Sequence, residues 1–228
     1  MKLSIATTRQ ENILGYIYLG FSHLLLSALI AIVAYLWGYP ISVTSLNIIY
    51  FVVNFVSVVA IFHRFLGHSL QTAWKNIPKC LISAIVGFGI YYWGTILVGF
   101  LITWINPNFA NVNDQAVSGM IQENPLIMGI CTVFLVPVVE ETLYRGLIFQ
   151  QLQRKHRVLA YIVSVAVFSA IHVAGFIGSV DGLTLLLCLM QYLPAGFALA
   201  WAYERADTII APILIHMIVN QIALTAMR

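Results

Sequence analysis

Seven long apolar runs dominate the chain, at roughly 13–37, 46–66, 80–105, 126–149, 158–177, 183–203 and 209–227. Crossing about 30 Å of hydrocarbon at 1.5 Å per residue takes an α-helix of about 20 apolar residues, and the runs have that length. Of the 228 residues 61% are hydrophobic and 8% charged, whereas a soluble domain carries about 25% charged residues. The medium around most of this surface must be lipid. The chain therefore reads as all-α, a polytopic helical bundle of about seven transmembrane helices forming a single integral membrane domain over 1–228. The first run is too long for a cleavable signal and reads as the first membrane helix.

Sidedness follows from the loops. With the N-terminus in the cytoplasm, the cytoplasmic segments hold Lys2, Arg9, Arg64, Lys75, Lys79, Arg154, Lys155, Arg157 and Arg205, nine of the eleven basic residues. The opposite side keeps Arg228, with Asp114, Glu123 and Asp181 in its loops. That asymmetry is the positive-inside pattern. The net charge of +3 is spread over short loops, so no nucleic-acid partner is expected. Cys80, Cys131 and Cys188 stand in apolar surroundings without CxxC spacing and read as buried core residues. The outer segment 106–124 either lies on the surface or caps the bundle. Segment 67–78, with Leu70, Trp74 and Lys75, reads as a short interfacial helix.

Charged groups inside a span cost about 2.5–3.5 kcal/mol each on insertion scales, so they are rare and usually functional. The fourth run holds three: Glu140, Glu141 and Arg145. Glu140 lies roughly 21 Å along the helix from Arg154, and His172 in the fifth run roughly 22 Å from Arg157. His216 and Asn220, i and i+4 in the seventh, lie roughly 13 and 20 Å from Asp207. Three helices thus offer a Glu, a His, and a His with an Asn at overlapping depths. Glu141 and Arg145 share a face at i, i+4 and are expected to pair. Glu140 is rotated about 100° away, with Tyr144 at i+4. Pro137 removes a backbone hydrogen bond and opens space beside the carboxylates. Asn47, Asn54 and His23 read as interhelical hydrogen-bonding residues, His63, His68 and His156 as solvated edge residues, and Gln191 as a packing or supporting residue.

Glu140-Glu141-x-x-x-Arg145, Phe168-x-x-x-His172 and His216-x-x-x-Asn220 together resemble the CAAX-protease and bacteriocin-processing family of intramembrane endopeptidases. The three motifs span residues 138–220 within a motif-bearing core at 126–228. Relatives commonly carry eight membrane helices, where seven are legible here. The resemblance implies hydrolysis of peptide bonds in membrane-associated or leader-bearing peptides at the cell membrane, with a peptide or membrane-protein substrate met in the bilayer. The expected roles are Glu140 as general base for a water, His172 orienting that water or the base, His216 and Asn220 stabilising the oxyanion, and Glu141 with Arg145 in support. No HExxH zinc face is present, and the resemblance implies a glutamate-activated water with no cofactor. A metalloprotease reading would place Zn²⁺ on Glu140, His172 and His216. The rival functions are a non-catalytic bacteriocin-immunity or scaffold protein, and a proton-coupled transporter. The absence of duplicated halves argues against the transporter.

Overall fold

The computed structural model describes residues 3–226. Lys2 and Arg228, counted in the charge asymmetry, and Met227, the end of the seventh apolar run, lie outside them. Among the described residues there are nine helices and no strand, apart from an isolated bridge between Ile177 and Val180. Six helices have the length and apolarity to cross a membrane: α1 (Arg9–Leu36), α2 (Val43–Ile61), α4 (Ile77–Ile105), α6 (Pro125–Gln153), α7 (Arg157–Ala174) and α8 (Gly182–Ala206). The seventh apolar run is the shorter α9 (Ile210–Ala226). Two further helices, α3 (His63–Lys75) and α5 (Val112–Glu123), join the spans. The chain is a multi-pass membrane protein.

Two boundaries refine the sequence reading. The second span stops at Ile61 rather than near Leu66, because the backbone turns at Phe62 and polar His63 and Arg64 open α3. α3 turns Phe65, Ser69 and Ala73 toward the bundle, while Leu70 and Trp74 are exposed on a second face and Arg64, His68 and Lys75 on a third. That arrangement suits a helix lying at an interface. Of the two options for 106–124, the structure takes the cap. Asn111 caps α5 through the amides of Asn113 and Asp114, and α5 docks on α8 through side-chain hydrogen bonds described below.

At the other end, Thr8 and Glu11 form a capping box at the start of α1. The second Glu11 oxygen accepts the Phe65 amide at 2.9 Å, and buried Gln150 accepts the Thr7 amide at 3.0 Å. These bonds tie the N-terminal segment to α3 and α6 and satisfy donors that would otherwise be orphaned. α6 is the most enclosed of the long spans. α7 and α8 approach closely at Gly196, where a Cβ would stand 2.9 Å from the Val165 Cα.

Candidate functional site

α6 is not a uniform α-helix. Its turns widen to π-helical geometry at Cys131–Leu135 and again at Glu141–Phe149, a distortion that recurs at functional sites. Pro137 explains what the first distortion achieves. The Val136 amide bonds back to the Cys131 carbonyl, and Pro137 has no N–H to offer. The Thr132 carbonyl therefore lacks the helical donors that would normally take it, and Asn220 of α9 fills the place, donating from Nδ2 at 2.8 Å. Asn220 thereby locks α9 to α6 beside Glu140. One of its two amide hydrogens is spent on that bond.

Glu141 is fully buried and serves two partners with one oxygen. Its Oε1 accepts Arg145 Nη1 at 2.9 Å and His216 Nδ1 at 2.8 Å. The expected pair with Arg145 is present, and the histidine contact is an addition that helical spacing does not reveal. Arg145, also fully buried, donates to the Gly196 carbonyl at 3.2 Å. Its guanidinium lies 4.4 Å from the centre of the Phe168 ring. Phe168 also packs against both histidines, 4.6 Å from His172 and 5.9 Å from His216 between ring centres. The first residue of Phe-x-x-x-His is thus a packing post for four groups of the cluster, since Tyr144 meets its edge as well.

His172 Nδ1 lies 2.8 Å from the Phe168 carbonyl, which can only accept, so this nitrogen carries the hydrogen. The same reasoning places a hydrogen on His216 Nδ1, against the Glu141 carboxylate. Both rings then turn Nε2 toward Glu140. Each Nε2 is 3.9 Å from Glu140 Oε2, and that oxygen is buried without a direct hydrogen-bond partner. The structure brings Glu140, Glu141, Arg145, His172, His216 and Asn220 into one cluster.

Glu140 stands on the wall shared by two cavities. One, of about 370 Å³, lies between α1, α2, α6 and α7, lined by His23, Tyr50, Phe51 and Ile171 among others. The other, of about 300 Å³, reaches beneath α5 and includes His172, His216 and Asn220. His23 has a more specific place than general helix contact. Its Nδ1 bonds the Leu19 carbonyl at 2.9 Å, and its Nε2 receives the Tyr144 hydroxyl at 3.1 Å, one helical turn beyond Glu140. Tyr192 stacks on His172 with ring centres 4.3 Å apart. Asp114 and Asn113 of α5 and its cap Asn111 hydrogen-bond Gln191 and Tyr192. Nothing in the sequence spacing signals these contributions, because they come from a loop distant in sequence.

The zinc alternative asks Glu140, His172 and His216 to converge on one ion. Donors at roughly 2.0–2.2 Å from a tetrahedral zinc stand roughly 3.3–3.6 Å apart, closer than the 3.9 Å separations here. Among the described residues no three His, Cys, Asp or Glu side chains are gathered so as to hold a metal ion. As arranged, the donor set does not fit zinc.

Residues 122–222 match the family model described as "Type II CAAX prenyl endopeptidase Rce1-like". The match covers the segment that holds all six site residues. A Bacillus subtilis (strain 168) protein described as "Putative membrane peptidase YdiL" is 27% identical over 217 residues, covering 91% of this chain and 84% of that protein. Both comparisons support the CAAX-protease and bacteriocin-processing family. The likeness to the Bacillus protein extends well beyond the motif region, which carries the relationship into the first four helices. No solved structure matches the chain.

Proposed function

We propose that this chain is an intramembrane endopeptidase that cleaves membrane-associated or leader-bearing peptides with a water activated by Glu140. The single observation that carries the reading is the convergence of two imidazole Nε2 atoms on one carboxylate oxygen, each at 3.9 Å. The family match and the description of the Bacillus relative as a "Putative membrane peptidase" support peptidase chemistry. Two atoms 3.9 Å apart can share one water at ordinary hydrogen-bond distances of about 2.8 Å from each.

The steps follow from the anchoring of each group. Glu140 takes a proton from the water as its oxygen attacks the scissile carbonyl carbon. His172, whose Nδ1–H is held by a neutral carbonyl, accepts the water's other hydrogen at Nε2 and aims the lone pair. His216 has a carboxylate behind Nδ1, which fixes the tautomer and the orientation of the ring. In its protonated form it donates from Nε2 to the tetrahedral oxyanion. The second amide hydrogen of Asn220 is the other donor. The C–N bond then breaks as Glu140 returns its proton to the leaving nitrogen. Glu141 with Arg145 keeps His216 and α6 in place.

Peptides released by cells carrying the wild-type protein and the Glu140→Gln variant, compared by mass spectrometry, provide the test. The reading expects a set of products that disappears in the variant. Identical product sets would favour a non-catalytic immunity or scaffold role. Elemental analysis of the purified protein, with cleavage measured before and after chelation, tests the metal-free form of the mechanism: activity is expected to survive removal of zinc.

A further inference from the structure

Within the peptidase reading, one acidic group near the site has no role in the chemistry. Asp114 lines a cavity of about 140 Å³ enclosed by α4, α5, α7, α8 and α9, and His172, His216 and Asn220 line the same cavity. It also borders the larger cavity that reaches Glu140. Asp114 occupies the first turn of α5, where an acid commonly serves the helix end. Here that task belongs to Asn111. The Asp114 carboxylate instead points across to α8, taking the Tyr192 hydroxyl at 3.1 Å and the Gln191 amide at 3.3 Å.

Among the described residues, no Lys, Arg or His nitrogen lies within ion-pair distance of Asp114. The described stretch that carries it, 106–124, contains no Lys or Arg. Burial pushes the Asp114 carboxyl up, against the hydrogen bonds from Tyr192 and Gln191 and the nearby His172, which favour the ionised form. A half-buried carboxylate in this position gains most from a cation that arrives with the ligand. The remaining lining suits one kind of cation. Tyr91, Thr95 and Gln191 line the same cavity with acceptor oxygens, the Gln191 oxygen already taking one hydrogen from Asn111, and a primary ammonium has three hydrogens to distribute among such acceptors.

We propose that this cavity is a subsite for a primary ammonium group of the substrate, with Asp114 as its counter-ion. The ammonium is either a lysine side chain close to the scissile bond or the free amino terminus of the peptide. The cavity is continuous in its lining with the catalytic cluster, so it selects a residue near the bond that is cut. The competing account of the same contacts makes Asp114 a positioning residue that holds Tyr192 against His172. The Asp114→Asn variant separates the two, because asparagine keeps an acceptor for the Tyr192 hydroxyl while removing the charge.

The experiment uses the full chain carrying Glu140→Gln, in lipid nanodiscs, with short fluorescent apolar peptides that carry one Lys, or Gln in its place, at successive positions. Each peptide is made with a free and with an acetylated amino terminus. At one register the Lys peptide is expected to bind about tenfold tighter than its Gln counterpart, and Asp114→Asn is expected to erase the difference. Discrimination that follows the free terminus instead assigns the ammonium to that end of the peptide. The proposal is overturned if neither Lys nor a free terminus improves binding, or if the preference survives in Asp114→Asn. Hydrolysis of the same peptides by protein with Glu140 intact tests the underlying reading separately. An ammonium preference without cleavage would contradict the peptidase alone, and cleavage without preference would contradict the subsite alone.

Discussion

His216 Nδ1 lies 2.8 Å from Glu141 Oε1, the same oxygen that takes Arg145 at 2.9 Å. One buried carboxylate thus orients a histidine of the cluster and neutralises Arg145, the one arginine of α6. Replacing Glu141 by Gln leaves Arg145 buried with its charge uncompensated, a situation that costs about 3–5 kcal/mol. Thermal unfolding should fall accordingly, and cleavage should fall by about 10- to 100-fold. Adding Arg145→Met to Glu141→Gln should recover most of the stability and little of the activity. Recovery of both would mean that Glu141 matters only as the partner of Arg145.

The Asn220–Thr132 bond rests on a carbonyl that Pro137 cannot serve. Asn220→Ala should therefore cost about 1–3 kcal/mol through the unpaired carbonyl, together with a large loss of cleavage. Pro137→Ala restores an amide that competes for the same region of helix. It should preserve or raise the melting temperature while lowering activity severalfold. Unchanged activity in Pro137→Ala would show that the widened turn is not needed to place Asn220.

At Gly196 the backbone of α7 is nearly in contact, with 2.9 Å between an added Cβ and the Val165 Cα. A Gly196→Val variant must push α7 away from α8, displacing the helix that carries His172. We expect a loss of about 1–3 kcal/mol in stability with a parallel loss of activity. Gly99 has nothing within 4 Å of an added Cβ, and Gly99→Ala should leave both unaltered. Equal tolerance at the two positions would argue against tight α7–α8 packing.

Phe168 meets Arg145, Tyr144 and both histidines. Phe168→Leu keeps an apolar side chain but removes the ring that orients them. Cleavage should drop about tenfold, while Phe168→Tyr, which keeps the ring, should lose less. Steady-state cleavage by the two variants distinguishes an orienting ring from simple bulk.

Much of this arrangement is legible in the sequence, for physical reasons that also explain what is not. Lipid demands about twenty apolar residues per crossing, so the spans declare themselves, and buried charges such as Glu140 and Arg145 stand out against them. Regular helical spacing correctly pairs Glu141 with Arg145. It does not reveal the widened turns: the first is coupled to Pro137 and to Asn220 on α9, and nothing in the spacing signals the second. It also misses the second partner of Glu141, which comes from α9 and is set by packing. The polar loop 106–124 reveals its polarity but not its docking, since the contacts of Asp114 with Tyr192 and Gln191 join segments nearly eighty residues apart. The end of α2 at Ile61 is hidden by apolar Phe65 and Leu66, which extend the apolar run into a helix of different direction.

Glu140 is proposed as the base. Its most direct test is cleavage of a substrate identified from the released peptides, by purified wild-type and Glu140→Gln protein in nanodiscs, with matched unfolding temperatures. Glutamine preserves shape and removes the basic carboxylate, so the rate should fall by at least about 100-fold. A Glu140→Gln protein that retains a tenth or more of the wild-type rate would contradict the account.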